Sequence, residues 1–252
     1  MNGFRLNPRL ALLIDLVLLV AVWHIAAVNL DRNFLPTPWL VVQTFFQELQ
    51  GPLLAHSWAS LRRILLSVLA GTALAAPIAI LAAENRILDS LLSPLMYFLY
   101  PTPKIVFLPI IVVLLGLGDP SIIFLIALIV FFQVYVIVRD AVAQVPRATL
   151  DSVASLGAGR WQRLRYVYLP LSVPAVFTAL KVSVGTAIAV LFIAESIGNN
   201  VGLGYYIVVD QWNRFAYKKV YAGILAIALL GSVLFGLLSW LETRSSRWRT
   251  SQ

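Results

Sequence analysis

Six stretches of mostly apolar residues divide this chain, at about 10–28, 64–83, 90–116, 120–138, 170–194 and 218–241. Roughly 20 apolar residues in a helix cross about 30 Å of hydrocarbon. The pattern therefore predicts an all-α membrane protein with about six transmembrane helices, read as a single domain over residues 1–252. The composition agrees: 60% of the residues are apolar, 12% are charged, and the mean hydropathy is +0.88. The first stretch follows Arg5 and Arg9 as a signal peptide would, but Trp23–Asn29 offers no small-residue cleavage site, so it is read as a retained helix.

With no cysteine, neither a disulfide framework nor a thiolate metal site is possible. His24 and His56 lack acidic neighbours at helical spacing, and no metal site is expected. The net charge of +8 lies between apolar stretches rather than on a soluble face, so it speaks for membrane orientation and not for nucleic acid. Of the nineteen basic residues, eleven fall on one side if both termini are cytoplasmic: Arg5, Arg9, Arg86, Arg139, Arg147, Arg160, Arg163, Arg165, Arg244, Arg247 and Arg249.

The third stretch, at 1.5 Å per residue, would reach about 40 Å as one straight helix. Pro101, Pro103 and Pro109 should break it, with Tyr100–Pro103 extended or kinked and the residue before each proline outside the helical region. Irregular backbone inside a bilayer survives where protein or a water-filled cavity covers it. Pro101 and Pro103 are thus candidates to line a pathway, and a simple packing kink is the other reading. Further back, Val41, Val42, Phe45, Phe46 and Leu49 follow Trp39 at helical spacing. They predict either an interfacial amphipathic helix with Trp39 at headgroup level or a connector packed on its own protein.

Residues 151–170 form a polar, basic island between apolar stretches. Asp151 is expected to open a turn, Gly157 and Gly159 to interrupt a first helix, and Trp161, Leu164 and Tyr168 to restart an apolar stripe. Helix, glycine turn, helix is the outcome, and Leu169–Pro170 opens the next span. Such a short crosswise helix, rimmed by Arg160, Arg163 and Arg165, is a rigid knob able to meet acidic groups or lipid phosphates.

Asp151-Ser152-Val153, three residues, Gly157, nine residues, Val167, one residue and Leu169-Pro170 resemble the EAA loop of ABC importer permeases, whose pattern is EAA, three, G, nine, I, one, LP. The head departs from it: Asp stands for Glu, and Ser152-Val153 for the two alanines. Phe34–Pro38, Pro101-Thr102-Pro103 through Leu108-Pro109, and Gly202-Leu203-Gly204-Tyr205 make the chain similar to the permeases that serve nitrate, taurine, aliphatic sulfonates, bicarbonate and thiamine-precursor-like solutes.

The resemblance implies a type I ABC importer permease in the bacterial inner membrane with both termini cytoplasmic. Two copies would pair about a central pathway, each loop seated on a cytoplasmic ABC ATPase. A periplasmic or lipid-anchored binding protein would deliver the solute against residues 29–60 and 197–217, the latter with Trp212, Arg214 and Tyr217. Docking to the ATPase would fall to Asp151, Ser152, Val153, Ala154, Gly157, Ala158 and Arg160. The chain carries no G-x-x-x-x-G-K-[ST] phosphate loop, so it is expected to bind no cofactor directly and to be no enzyme, with ATP used by the partner. Closure of the ATPase pair would press the two loops together and turn the spans outward.

Charges within spans are costly and tend to face cavities or partners. Lys181 should share a helix face with Thr178, Gly185 and Glu195. It either faces the pathway and attracts an anion or pairs with an acid and holds helices together. Glu195 is expected to fix the Asn199-Asn200 loop, and Asp15 and Lys104 to lie near enough to an interface to snorkel or pair. An ion-coupled secondary transporter would usually show paired acids and an internal repeat, and a membrane enzyme a nucleophile or metal cluster; neither pattern occurs.

Overall fold

The computed structural model describes residues 7–30, 34–197 and 199–245, and these are helical throughout their regular segments. Ten α-helices run in order: α1 Pro8–Asn29, α2 Pro38–Leu49, α3 Pro52–Glu84, α4 Arg86–Leu99, α5 Leu108–Leu115, α6 Asp119–Ala143, α7 Arg147–Ser155, α8 Arg160–Arg163, α9 Leu169–Ser196 and α10 Tyr217–Ser245. Proline punctuates them. It occupies the first or second position of α2, α3, α5, α6 and α9, where its missing N–H would be unpaired in any case.

The core is α6. Ile122, Leu125, Ile126, Ile129, Val130, Val134, Tyr135 and Val138 are buried around it, with α3 packed on one side and α9 on the other. Gly71 lets α3 approach closely: a Cβ there would stand 2.6 Å from the Ala127 carbonyl oxygen and 3.0 Å from Val130 Cβ. Backbones brought together by a small residue are a common solution where lipid supplies no hydrophobic drive between helices. Helix α10 lies on α9 and carries α2. Almost every side chain described on α1 is exposed, and this helix is attached through Trp23, which donates to the Pro36 carbonyl at 3.2 Å and stacks on Tyr221. Leu, Val and Ile exposed over whole helix faces suit contact with lipid tails.

Among the described residues, four helical segments, against the six stretches expected, are long and apolar enough to cross a membrane: Pro52–Glu84, Asp119–Ala143, Arg160–Ser196 and Tyr217–Ser245. A fifth arises if Arg86–Leu99 and Lys104–Leu115, bent by 87°, form one broken span. The break expected at the prolines is present, but its detail differs. Tyr100 and Leu108, each preceding a proline, keep helical angles. The chain leaves the helix after Tyr100, and Pro103 takes ψ 92°. Lys104 makes this possible by donating to the carbonyls of Leu99, Tyr100 and Thr102 at 2.9, 3.0 and 3.2 Å, so the freed backbone acceptors are satisfied internally. It is buried, not snorkelling toward an interface.

Other bounds shift for a shared reason. An apolarity criterion ends a span at its first charges, whereas helices continue where those charges are paired. Arg139 holds Asp89 of α4 at 2.5 Å and Asp140 at 3.0 Å, and α6 runs on to Ala143. Arg62 and Arg63, expected outside the second span, sit within α3 and bind Asp119 at the start of α6. Helix α3 is therefore 33 residues long. Helix α2 buries Val41 and Thr44 and packs on α10, which makes it a connector seated on its own protein, with Trp39 exposed.

Candidate functional site

Two polar regions sit at opposite ends of α3. At the Glu84 end, α6 stops at Ala143, and residues 144–159 lead to α8, which continues through a π-helical turn at Leu164–Tyr168 into α9. Asp151 does not open α7 but lies inside it, because the helix starts directly after Pro146. No residue of α7 is buried. Gly157 turns the chain with φ +79° and open space around it, a conformation that L side chains rarely adopt. Gln162 then accepts the Gly159 N–H at 2.7 Å and caps the start of α8.

Asp151, Ser152, Ala154, Gly157 and Arg160 are exposed, Val153 and Ala158 half-buried. Leu156, 86% exposed, is the apolar tip. The Asp151 carboxylate has no hydrogen-bond or ion-pair partner among the described residues, whereas Arg160 reaches Glu84 at 3.3 Å. Asp151 and Leu156 are thus open to solvent at a short segment that joins two long helices. Of the stripe expected after the glycines, Tyr168 is buried and Leu164 packs on the core, but Trp161 is exposed.

At the other end, Arg63 and Glu195 are both sealed from solvent and meet at 2.6 Å. Arg63 also binds Asp119 at 2.5 Å and donates to the Val201 carbonyl at 2.8 Å. Ser60 donates to the Glu195 carboxylate at 2.8 Å while accepting from Leu203 N–H at 2.8 Å, and Gly204 N–H donates to the same carboxylate at 2.9 Å. His56 Nδ1 accepts from Gly202 N–H at 3.0 Å, which places its proton on Nε2. Glu195 thus fixes the turn at Val201–Gly204 rather than Asn199-Asn200. Nearby, burial and the Glu48 carboxylate that accepts its O–H together push the Tyr206 phenol up from the usual tyrosine range.

Of the residues expected to share one face of α9, Thr178, Lys181 and Gly185 stay together toward α10, and only Glu195 departs. Lys181 pairs with Glu242 of α10 at 2.5 Å, and the Thr178 hydroxyl lies within reach of that carboxylate and of the Pro174 carbonyl. Gly185 lines a groove against Gly231 and Gly236 of α10. Glu195 instead faces α3. Pro103 lies in a different cleft, between the α4–α5 break, α6 and α9, together with Lys104, Gln133 and Thr186; Pro101 sits in the break beside it. Sequence reasoning missed Arg63, Ser60, Gln133 and Glu242. Glu242 falls one residue past the last apolar stretch, which was the available signal for a partner to Lys181. Among the described residues no cluster of His, Asp or Glu could hold a metal ion.

The family described as binding-protein-dependent transport system inner membrane component matches residues 75–247. The taurine transport system permease protein TauC of Escherichia coli (strain K12) is 32% identical over 92% of this chain and 86% of its own. SsuC of Bacillus subtilis (strain 168), provisionally named for aliphatic sulfonate transport, is 31% identical over 92% and 85%. The riboflavin transport system permease protein RibX of Chloroflexus aurantiacus is 30% identical over 97% and 92%. An inward-facing structure of the MetNI methionine ABC transporter superposes with a TM-score of 0.67 at 17% identity, over 78% of this chain and 97% of that one, and so shares the fold. The exposed knob, the apolar helices and these likenesses agree: the chain belongs to the inner membrane components of binding-protein-dependent transport systems, as a multi-pass ABC importer permease of the type I fold.

Proposed function

We propose that this chain, as one permease domain over residues 1–252, forms the translocation pathway for a small anionic or zwitterionic solute such as a sulfonate, taurine, nitrate or bicarbonate. Both termini are cytoplasmic in this reading, two copies pair in the membrane, and α7 with Gly157–Arg160 seats on a cytoplasmic ABC ATPase that alone binds ATP. A periplasmic or lipid-anchored protein delivers the solute at the opposite end, toward residues 197–217. The observation that carries the reading is the α7 knob: Asp151 on the helix and Leu156 directly after it are exposed, without partners among the described residues, between α6 and α8. The names of the sulfonate and taurine relatives support the solute class. A second reading, a thiamine-precursor-like or other small organic solute, has the support of the riboflavin-named relative. Family membership sets aside an ion-coupled secondary transporter.

The test is reconstitution with the candidate ATPase and binding protein, comparing the native chain with Gly157→Pro. Proline fixes φ near −65° and cannot adopt the +79° of Gly157. The reading requires loss of solute-stimulated ATP hydrolysis with the assembly still folded. Solute uptake that proceeds without ATP, with no ATPase co-purifying, overturns it.

A further inference from the structure

The broken helix between α4 and α5 borders a cleft of about 360 Å³, lined by Tyr100, Thr102, Pro103, Lys104, Gln133 and Thr186 among others. Gln133 is the fourteenth residue after Asp119, which opens the 25-residue α6, so the cleft lies near the middle of that helix. A cavity of a few hundred Å³ suits a small solute. Irregular backbone at this depth is tolerated where it lines such a space.

Its charge is unbalanced. Lys181, a lysine well inside the α9 span, is neutralised by Glu242. Lys104 has no carboxylate partner among the described residues: its ammonium donates to three backbone carbonyls, and the charge lies 4.5 Å from the centre of the Phe132 ring. It is only 7% exposed, so little water screens it.

Two hydrogen-bonding side chains that line the same cleft have free capacity. Gln133 Nε2 donates to Thr186 Oγ1 at 3.3 Å, and Gln133 Oε1 is buried with no partner. Elsewhere on α9, Ser183, Ser196 and Thr178 turn their hydroxyls back to the carbonyl four residues earlier. Thr186 makes no such bond. Having accepted from Gln133, it keeps its own proton to donate.

We propose that Lys104, Gln133 and Thr186 form an anion-selecting station in the translocation pathway, where Lys104 supplies a fixed positive field and the two polar side chains supply the contacts for a small sulfonate- or carboxylate-bearing solute. This rests on the importer reading above and moves the anion-attracting role from Lys181 to Lys104. A lysine that only capped the last carbonyls of α4 would leave the field in the cleft without consequence for solute charge.

The native chain has no cysteine, so Thr186→Cys gives a single thiol in the cleft and Leu156→Cys a single exposed control. Each full-length variant, purified in detergent, is treated with anionic 2-sulfonatoethyl or cationic 2-trimethylammonioethyl methanethiosulfonate. The thiolate attacks the thiosulfonate sulfur, forms a disulfide and releases methanesulfinate, and the two rates are divided by those of free mercaptoethanol. The station predicts that Thr186→Cys favours the anionic reagent by about tenfold, that Lys104→Arg keeps this preference, and that Lys104→Met removes it. Leu156→Cys reports that both reagents are active, and elution of each variant as a single species on gel filtration reports that it is folded. The preference in the Lys104 background is read without any change at Lys104, so a misfolded Lys104→Met does not protect the proposal. Thr186→Cys inert to both reagents while Leu156→Cys reacts, or a ratio without anionic preference, overturns it. Neither outcome depends on ATP, so failure here is separable from failure of the ATPase experiment.

Discussion

Arg63 and Glu195, 132 residues apart in sequence, join α3 to the end of α9 through a 2.6 Å ion pair in which neither side chain is more than 1% exposed. A buried pair is a weak source of net stability, but removal of one partner leaves an uncompensated charge and costs about 3–5 kcal/mol. Glu195→Ala should therefore lower the unfolding temperature in detergent steeply. Arg63→Met combined with Glu195→Met should be less destabilised than the two single losses added together, and strict additivity would show that the pair is not coupled. Gly202→Ala should behave like Glu195→Ala, because a Cβ at φ +129° would run into the Glu195 carboxylate.

At Gly71 the limit is space. Its Cβ position lies against the Ala127 carbonyl and Val130 of α6, neither of which is the end of a flexible side chain. Gly71→Ala should cost about 1–3 kcal/mol by forcing α3 and α6 apart, and Gly71→Leu should prevent assembly. Thermal unfolding of the purified chain measures the first. Unchanged stability in Gly71→Ala would mean that the two helices pack more loosely than this.

The Lys181–Glu242 pair ties α9 to α10 at about a fifth to a quarter exposure. Interhelical polar contacts in membranes are worth about 1 kcal/mol, so Lys181→Met should destabilise by roughly that amount. Adding Glu242→Gln should recover part of the loss. The relative uptake of anionic and neutral solutes should stay unchanged in both variants, and a shift in that ratio would return Lys181 to the pathway.

On α7 the prediction runs the other way. Leu156→Asp and Asp151→Lys alter exposed groups without described partners, so each should change stability by less than about 0.5 kcal/mol. If the knob is a docking surface, Leu156→Asp should weaken ATPase association by about thirtyfold or more, the range of an interface anchor. Pull-down in mild detergent and solute-stimulated hydrolysis read this out. Full association by both variants would place the contact elsewhere.

Helix content, the broken third stretch and the glycine-turned knob were legible in the sequence because each rests on local rules. Apolar length sets where a helix can meet lipid, proline removes a backbone donor, and glycine permits φ +79° at residue 157. The spacing from Asp151 to Pro170 carried the family resemblance, and the family match covers that segment. Helix ends were misplaced where charges such as Arg62, Arg63 and Arg139 are paired across helices, since a count of charges along one stretch is blind to a partner on another.

Which charges neutralise each other was decided by tertiary structure alone. Lys181 and Lys104 look alike as lone cations within apolar runs, yet one meets Glu242 across 61 residues and the other caps its own broken helix. Glu195 drifts away from Lys181 and onto α3 because α3 brings Arg63 and Ser60 to the end of α9. The energy of a charge in a membrane depends on the few ångströms around it, and those distances are set by how helices far apart in sequence pack, while the existence of the helices follows from each segment's own composition.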